Sequence, residues 1–93
     1  MSRREPDEYY IDLERRLRAI APLAQSVLAP EPYRWFMEYL DAGEYGLAVE
    51  VASEEMPTGD SSETARELAS SLLREAVLMG LPDEVIRRRR GGP

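Results

Sequence analysis

The stretch Leu40-Asp41-Ala42-Gly43-Glu44-Tyr45 constrains the fold more than any other part of the chain. Before it, Tyr33, Phe36, Met37 and Leu40 recur at i, i+3, i+4 and i+7, one apolar helical face. After it, Leu47, Ala48, Val51 and Ala52 recur in the same way. Gly43 is the residue type that takes a left-handed conformation without a Cβ penalty, so the first helix stops at Ala42. Glu44 restarts the chain, with its carboxylate near a new helix N-terminus, where negative charge is favoured. Two helices joined this tightly must fold back on each other. An αα-hairpin turning at residues 41–45 is therefore the first expectation.

The rest of the chain reads as helices that complete a bundle. Residues 7–21 place Pro6, Asp7 and Glu8 at a helix start and carry an inward stripe of Tyr10, Leu13, Leu17, Ile20 and Ala24. Asp12 with Arg16 and Glu14 with Arg18 are i,i+4 pairs on its outer faces. Pro22 is expected to kink or end this helix, because it removes a backbone donor and crowds the carbonyl of Arg18. Pro32 falls in the first turn of the next helix, and the helix after the joint runs to about Glu55. Gly46 in its first turn suggests close approach to the preceding helix. Asp60 and Glu63 have capping-box spacing before a helix at 61–79 striped with Ala65, Leu68, Ala69, Leu72, Leu73 and Ala76, which Gly80 closes. Residues 81–86 suggest one or two more helical turns. No segment alternates as a strand does. The expected fold is all-α, a compact irregular bundle of about four main helices in a single domain spanning 1–93, with 1–5 and 87–93 as frayed ends.

Composition then removes whole classes of chemistry. There is no Cys and no His, and all twelve cations are Arg. Zinc fingers, Ser-His-Asp and Cys-His catalysis, Schiff bases and the P-loop lysine are excluded. Paired carboxylates alone can run a glycosidase, but that needs a substrate cleft a chain this short can hardly build. The expectation is a protein that is not an enzyme and holds no cofactor and no metal. Glu50 and Glu54 could chelate a hard cation weakly, yet nothing resembles a calcium loop. No apolar run approaches the roughly 20 residues of a membrane span, and Met1–Glu8 lacks the apolar stretch of a secretory signal. A cytoplasmic location with no membrane partner follows as an expectation.

Charge is unevenly placed. Between Arg34 and Arg66 there is no cation, while Glu38, Asp41, Glu44, Glu50, Glu54, Glu55, Asp60 and Glu63 fall in that interval. Such a middle repels a phosphate backbone, so no nucleic-acid partner is expected for the body of the protein. A face of this kind can be merely solvated. Glu50 and Glu54, however, are a like-charge i,i+4 pair that costs stability, and a basic partner covering them would explain their retention. Trp35 and Tyr39, one turn apart, either complete the core or stand at the surface as anchors, and Tyr45 beside Glu44 is the more exposed candidate. The candidate partner-binding set is Glu38, Asp41, Glu44, Tyr45, Glu50, Glu54 and Glu55, with Trp35 and Tyr39. Arg87 to Arg90 read as a solvated tail that folds back at times on the acidic body.

Residues 34–56, "RWFMEYLDAGEYGLAVEVASEEM", and the later Leu78-Met79-Gly80-Leu81-Pro82 resemble the small acidic immunity proteins of bacterial polymorphic toxin systems, in particular the MafI-type family. The resemblance covers about half the chain and rests on an aromatic helix, an "AGEYG" joint and an acidic helix. It implies a cytoplasmic antidote that binds a cognate toxin, often a nuclease; a nuclease domain must be cationic where it holds phosphate, so the expected toxin domain is basic. The alternative is a structural or adaptor bundle, or a small regulator working through protein–protein contact. Whether the chain is a monomer or a dimer stays open.

Overall fold

An apolar stripe from Leu13 to Leu28, about four helical turns, makes α1 the backbone of the molecule. In the computed structural model, which describes residues 4–81 and their side chains from Glu8 onward, α1 runs Arg4–Val27. It is followed by α2 (Pro30–Asp41), α3 (Tyr45–Glu54) and α4 (Glu63–Met79). The described residues hold helices and turns and no strand, so the chain is an all-α bundle. α1 begins earlier than expected, taking in Arg4 and Glu5, and passes through Pro22 without ending there. Pro22 is exposed, so its ring faces water and is not forced into the packed side, while Ala21 and Ala24 beside it are buried. The expected helical turns after Leu81 and the arginine tail lie outside the described residues.

The core is built from one stripe per helix. Leu13, Leu17, Ile20, Ala21, Ala24 and Leu28 meet Phe36 and Leu40 of α2, Ala48, Val49 and Ala52 of α3, and Leu68, Leu72 and Ala76 of α4. α2 packs chiefly on α3, and α1 chiefly on α4, with α3 also against α4. Two expectations about these faces are corrected. Tyr10 is 52% exposed and lies off the buried stripe of α1. In α3 the buried residues are Ala48, Val49, Ala52 and Ser53, while Leu47 is 43% exposed and Val51 only half-buried. The helix is turned so that Val49, fully buried, faces the shared core in place of Leu47.

The joint forms as its residue types dictate. Gly43 has φ +77°. Its N–H donates to the Leu40 carbonyl at 3.1 Å, and the Glu44 N–H donates to the Tyr39 carbonyl at 2.8 Å, the paired bonds of a Schellman closure. Gly80, at φ +72°, closes α4 with the equivalent pair from Gly80 to Val77 and from Leu81 to Ala76. Gly46 does not mark an approach to α2. A Cβ there would meet Leu81 Cδ2 at 3.6 Å and Met79 Cε at 4.0 Å, so its neighbour is the end of α4. The cap of α4 also differs from the expected one. Ser62 Oγ accepts from the Ala65 N–H at 3.1 Å, and Asp60, two residues before it, accepts from the Ser62 N–H at 3.0 Å.

Candidate functional site

A cleft of about 420 Å³ opens where the start of α1 passes the α2–α3 joint. Tyr9, Tyr10 and Leu13 form its α1 side, Gly43 to Leu47 and Glu50 form the side from the joint, and Met79 closes one end. The rings of Tyr9 and Tyr10 meet edge to face, centroids 5.1 Å apart, and Tyr10 lies against Tyr45 at 6.2 Å with a tilt of 30°. Three tyrosines thus line a concavity that also contains Glu44 and Glu50.

Beneath it a polar clasp ties α1 to both sides of the joint. The Tyr45 hydroxyl donates to Glu14 Oε1 at 3.0 Å. Arg18 Nε donates to the other oxygen of Glu14 at 2.8 Å, and Arg18 Nη2 donates to Asp41 Oδ1 at 2.9 Å. Asp41 stands just before Gly43 and Tyr45 just after Glu44, so Glu14 and Arg18 hold the turn from each end. The Arg18 guanidinium, and then the Tyr45 hydroxyl, hold the Glu14 carboxyl below its ordinary range. Partial burial, followed by the bond to Glu14, pushes the Tyr45 phenol up. The Arg18 guanidinium is raised in turn by Asp41 and Glu14.

The structure distributes the expected site residues unevenly. Glu44, Tyr45 and Glu50 line the cleft together. Tyr45, expected to be exposed, is half-buried because its hydroxyl reaches inward to Glu14 and its ring covers Tyr10. Asp41 is adjacent to the cleft but carries its own counter-charge in Arg18. The i,i+4 pair Glu14–Arg18 is therefore part of a cross-helix contact and not a surface ornament. Glu38 is exposed, 3.9 Å from Arg34. Glu54 and Glu55 are exposed at the far end of α3, away from the cleft lining. Tyr39 is half-buried against the core, and Trp35 is half-buried on α2; neither lines the cleft. Glu44 and Glu50 form no ion pair among the described residues.

Tyr9 and Tyr10 are absent from the expected set. Their signal was present: Tyr9-Tyr10-Ile11 places three large side chains in succession on a helix, and no single face can bury all three. All three are exposed. A second feature, Glu75, was also legible as a carboxylate inside the stripe of Leu72 and Ala76. It is 2% exposed and accepts from Arg16 Nε with both oxygens, each at 3.1 Å, while Arg16 also bonds Asp12. This pair fastens α1 to α4 and is remote from the cleft lining.

Chemically the cleft offers carboxylates and aromatic faces. Among the described residues no cluster of three or more acidic side chains is arranged to hold a metal ion, and no helix is long and apolar enough to cross a membrane. No family model matches the chain, and no curated protein or solved structure is significantly similar to it.

Proposed function

We propose that this chain is a cytoplasmic immunity protein that binds and neutralises a cognate toxin domain of basic type, such as a nuclease, through the acidic surface at the α2–α3 joint. The observation that carries the reading is the pair Glu44 and Glu50: carboxylates with no ion pair among the described residues, set beside Tyr9, Tyr10 and Tyr45 at the mouth of a cleft. Tyrosines supply contact area at low entropic cost, and uncompensated acids speed the approach of a cationic surface. A nuclease must be cationic where it holds phosphate, so an anionic plug suits it. The resemblance of residues 34–56 to MafI-type immunity proteins points the same way.

The test begins with the neighbouring gene, which should encode a large protein with a variable C-terminal toxin domain. Expression of that domain should arrest growth, and co-expression of this chain should restore it. The two should form a stoichiometric complex that weakens with salt. Unrelieved toxicity together with the absence of a complex at low salt would sink the reading.

A second reading has its own observation. Ile11, Val77 and Leu78 are 56%, 60% and 58% exposed. These apolar side chains suit a bundle that self-associates as an adaptor, with its acids serving solubility. A stable homo-oligomer indifferent to salt in sedimentation would favour that alternative.

A further inference from the structure

The cleft has a charge requirement that the chain carries the means to meet. Glu44 is exposed and Glu50 half-buried, and neither has an ion pair among the described residues. Opposite them stand the exposed rings of Tyr9 and Tyr10. Carboxylates accept the N–H groups of a guanidinium, and an aromatic face attracts its charge, so the lining is suited to arginine.

The path of the chain supplies the second observation. Leu81, which follows the glycine that closes α4, comes within 3.6 Å of the position a Cβ would take on Gly46, and both Gly46 and Met79 line the cleft. The described fold therefore ends at the wall of the cleft. The sequence continues from Pro82 to Pro93 and carries Arg87, Arg88, Arg89 and Arg90 in succession. Arg87 is six residues past Leu81. At roughly 3.3–3.6 Å per residue the intervening chain can reach about 20 Å, and a tether this short maintains an effective concentration on the order of millimolar.

We propose that the aromatic–acidic cleft is the docking site of the chain's own Arg87–Arg90 run, which a stronger cationic occupant must displace. The proposal does not depend on the immunity reading, because it concerns the isolated protein. Where both hold, the arginines act as a built-in competitor that raises the threshold for partner binding.

Backbone amide and tyrosine ring chemical shifts of the full chain test it. Replacing the run (R87S/R88S/R89S/R90S) should shift the amides of Gly43, Glu44, Gly46 and Leu47 and the rings of Tyr9 and Tyr10. High salt should move the same signals of the unchanged chain in the same direction. In an E44Q/E50Q background the arginine replacements should move them little. A peptide of residues 82–93 added to the arginine-free variant should restore the original shifts, and its arginine-free counterpart should not. Unmoved cleft signals would overturn the proposal. So would shifts confined to another surface, or shifts that grow with protein concentration, which would assign the contact to a second copy.

Discussion

Single residues at the joint do two jobs that linear spacing cannot separate. Asp41 and Glu44 are three residues apart, yet Arg18 neutralises the first and no ion pair among the described residues reaches the second. The partner of Asp41 lies 23 residues away in sequence, which is why the central segment reads as wholly uncompensated when only its own residues are counted. The clasp has a pH signature. Arg18 and Tyr45 lower the Glu14 carboxyl in the folded state from an ordinary value of 4.5. The stability this contributes is complete above the unfolded value and is lost as pH falls through the folded one. Glu14→Gln should therefore be less stable than the parent at neutral pH, and should lose less stability as pH drops below about 4.5. Urea denaturation midpoints across that range measure both effects; parallel acid profiles would remove Glu14 from the account. The Arg16–Glu75 pair makes a different demand. Arg16→Met leaves a buried carboxylate without its guanidinium, and should cost about 2 kcal/mol, below the usual range for fully buried pairs because Arg16 is about one-third exposed. Adding Glu75→Leu should recover most of that loss. If the double variant is no more stable than Arg16→Met alone in denaturant titration, the buried charge is not what the single change exposes.

The existence of each element was legible because its causes are local. Apolar spacing, a glycine just past the ends of α2 and α4, and prolines near the starts of α1 and α2 all act within a few residues, and they placed the four helices. Their rotations were not legible. Whether Leu47 or Val49 faces inward depends on what the other three helices present to α3, and α1 turns Tyr10 outward because Leu13 and Leu17 already fill its buried stripe. The two glycines flanking the turn show the same division between local and tertiary causes. Gly43 adopts a positive φ with open space around it, so Gly43→Ala meets backbone strain and should destabilise by about 1 kcal/mol. Gly46 is helical, and an added methyl would make ordinary contact with Leu81 and Met79. Gly46→Ala should stabilise by about 0.5–1 kcal/mol through helix propensity alone. Opposite signs in thermal or chemical unfolding support the assignment; a loss at Gly46 as large as that at Gly43 contradicts it.

At the scale of the whole molecule, the acids around the joint divide into those the fold uses and those it leaves to solvent, and the division decides what charge reversal does. Candidate site residues on α2 and α3 were visible in sequence as an acidic run, but the wall that makes them a cleft comes from the far end of α1, and only the tertiary fold brings it there. Reversing an acid that the fold uses must damage the fold. Asp41→Arg would set a second guanidinium against Arg18 and break the clasp. Reversing Glu44 and Glu50 disturbs no ion pair among the described residues, and places an arginine one turn before Glu54, an attractive i,i+4 arrangement. Glu44→Arg loses a favourable negative charge at the N-terminus of α3, and the gain at Glu54 offsets part of it, so Glu44→Arg with Glu50→Arg should lower unfolding free energy by no more than about 1 kcal/mol. The same pair should slow association with the proposed cationic partner about tenfold at low salt, since steering enhancements run from 10 to about 10³ and are screened within about 10 Å at 0.1 M ionic strength. Stopped-flow association rates of the two proteins, taken with rising salt, should converge. Equal rates at low salt would mean that the partner is not drawn by these carboxylates, while a variant that fails to fold would mean that Glu44 or Glu50 belongs with Asp41.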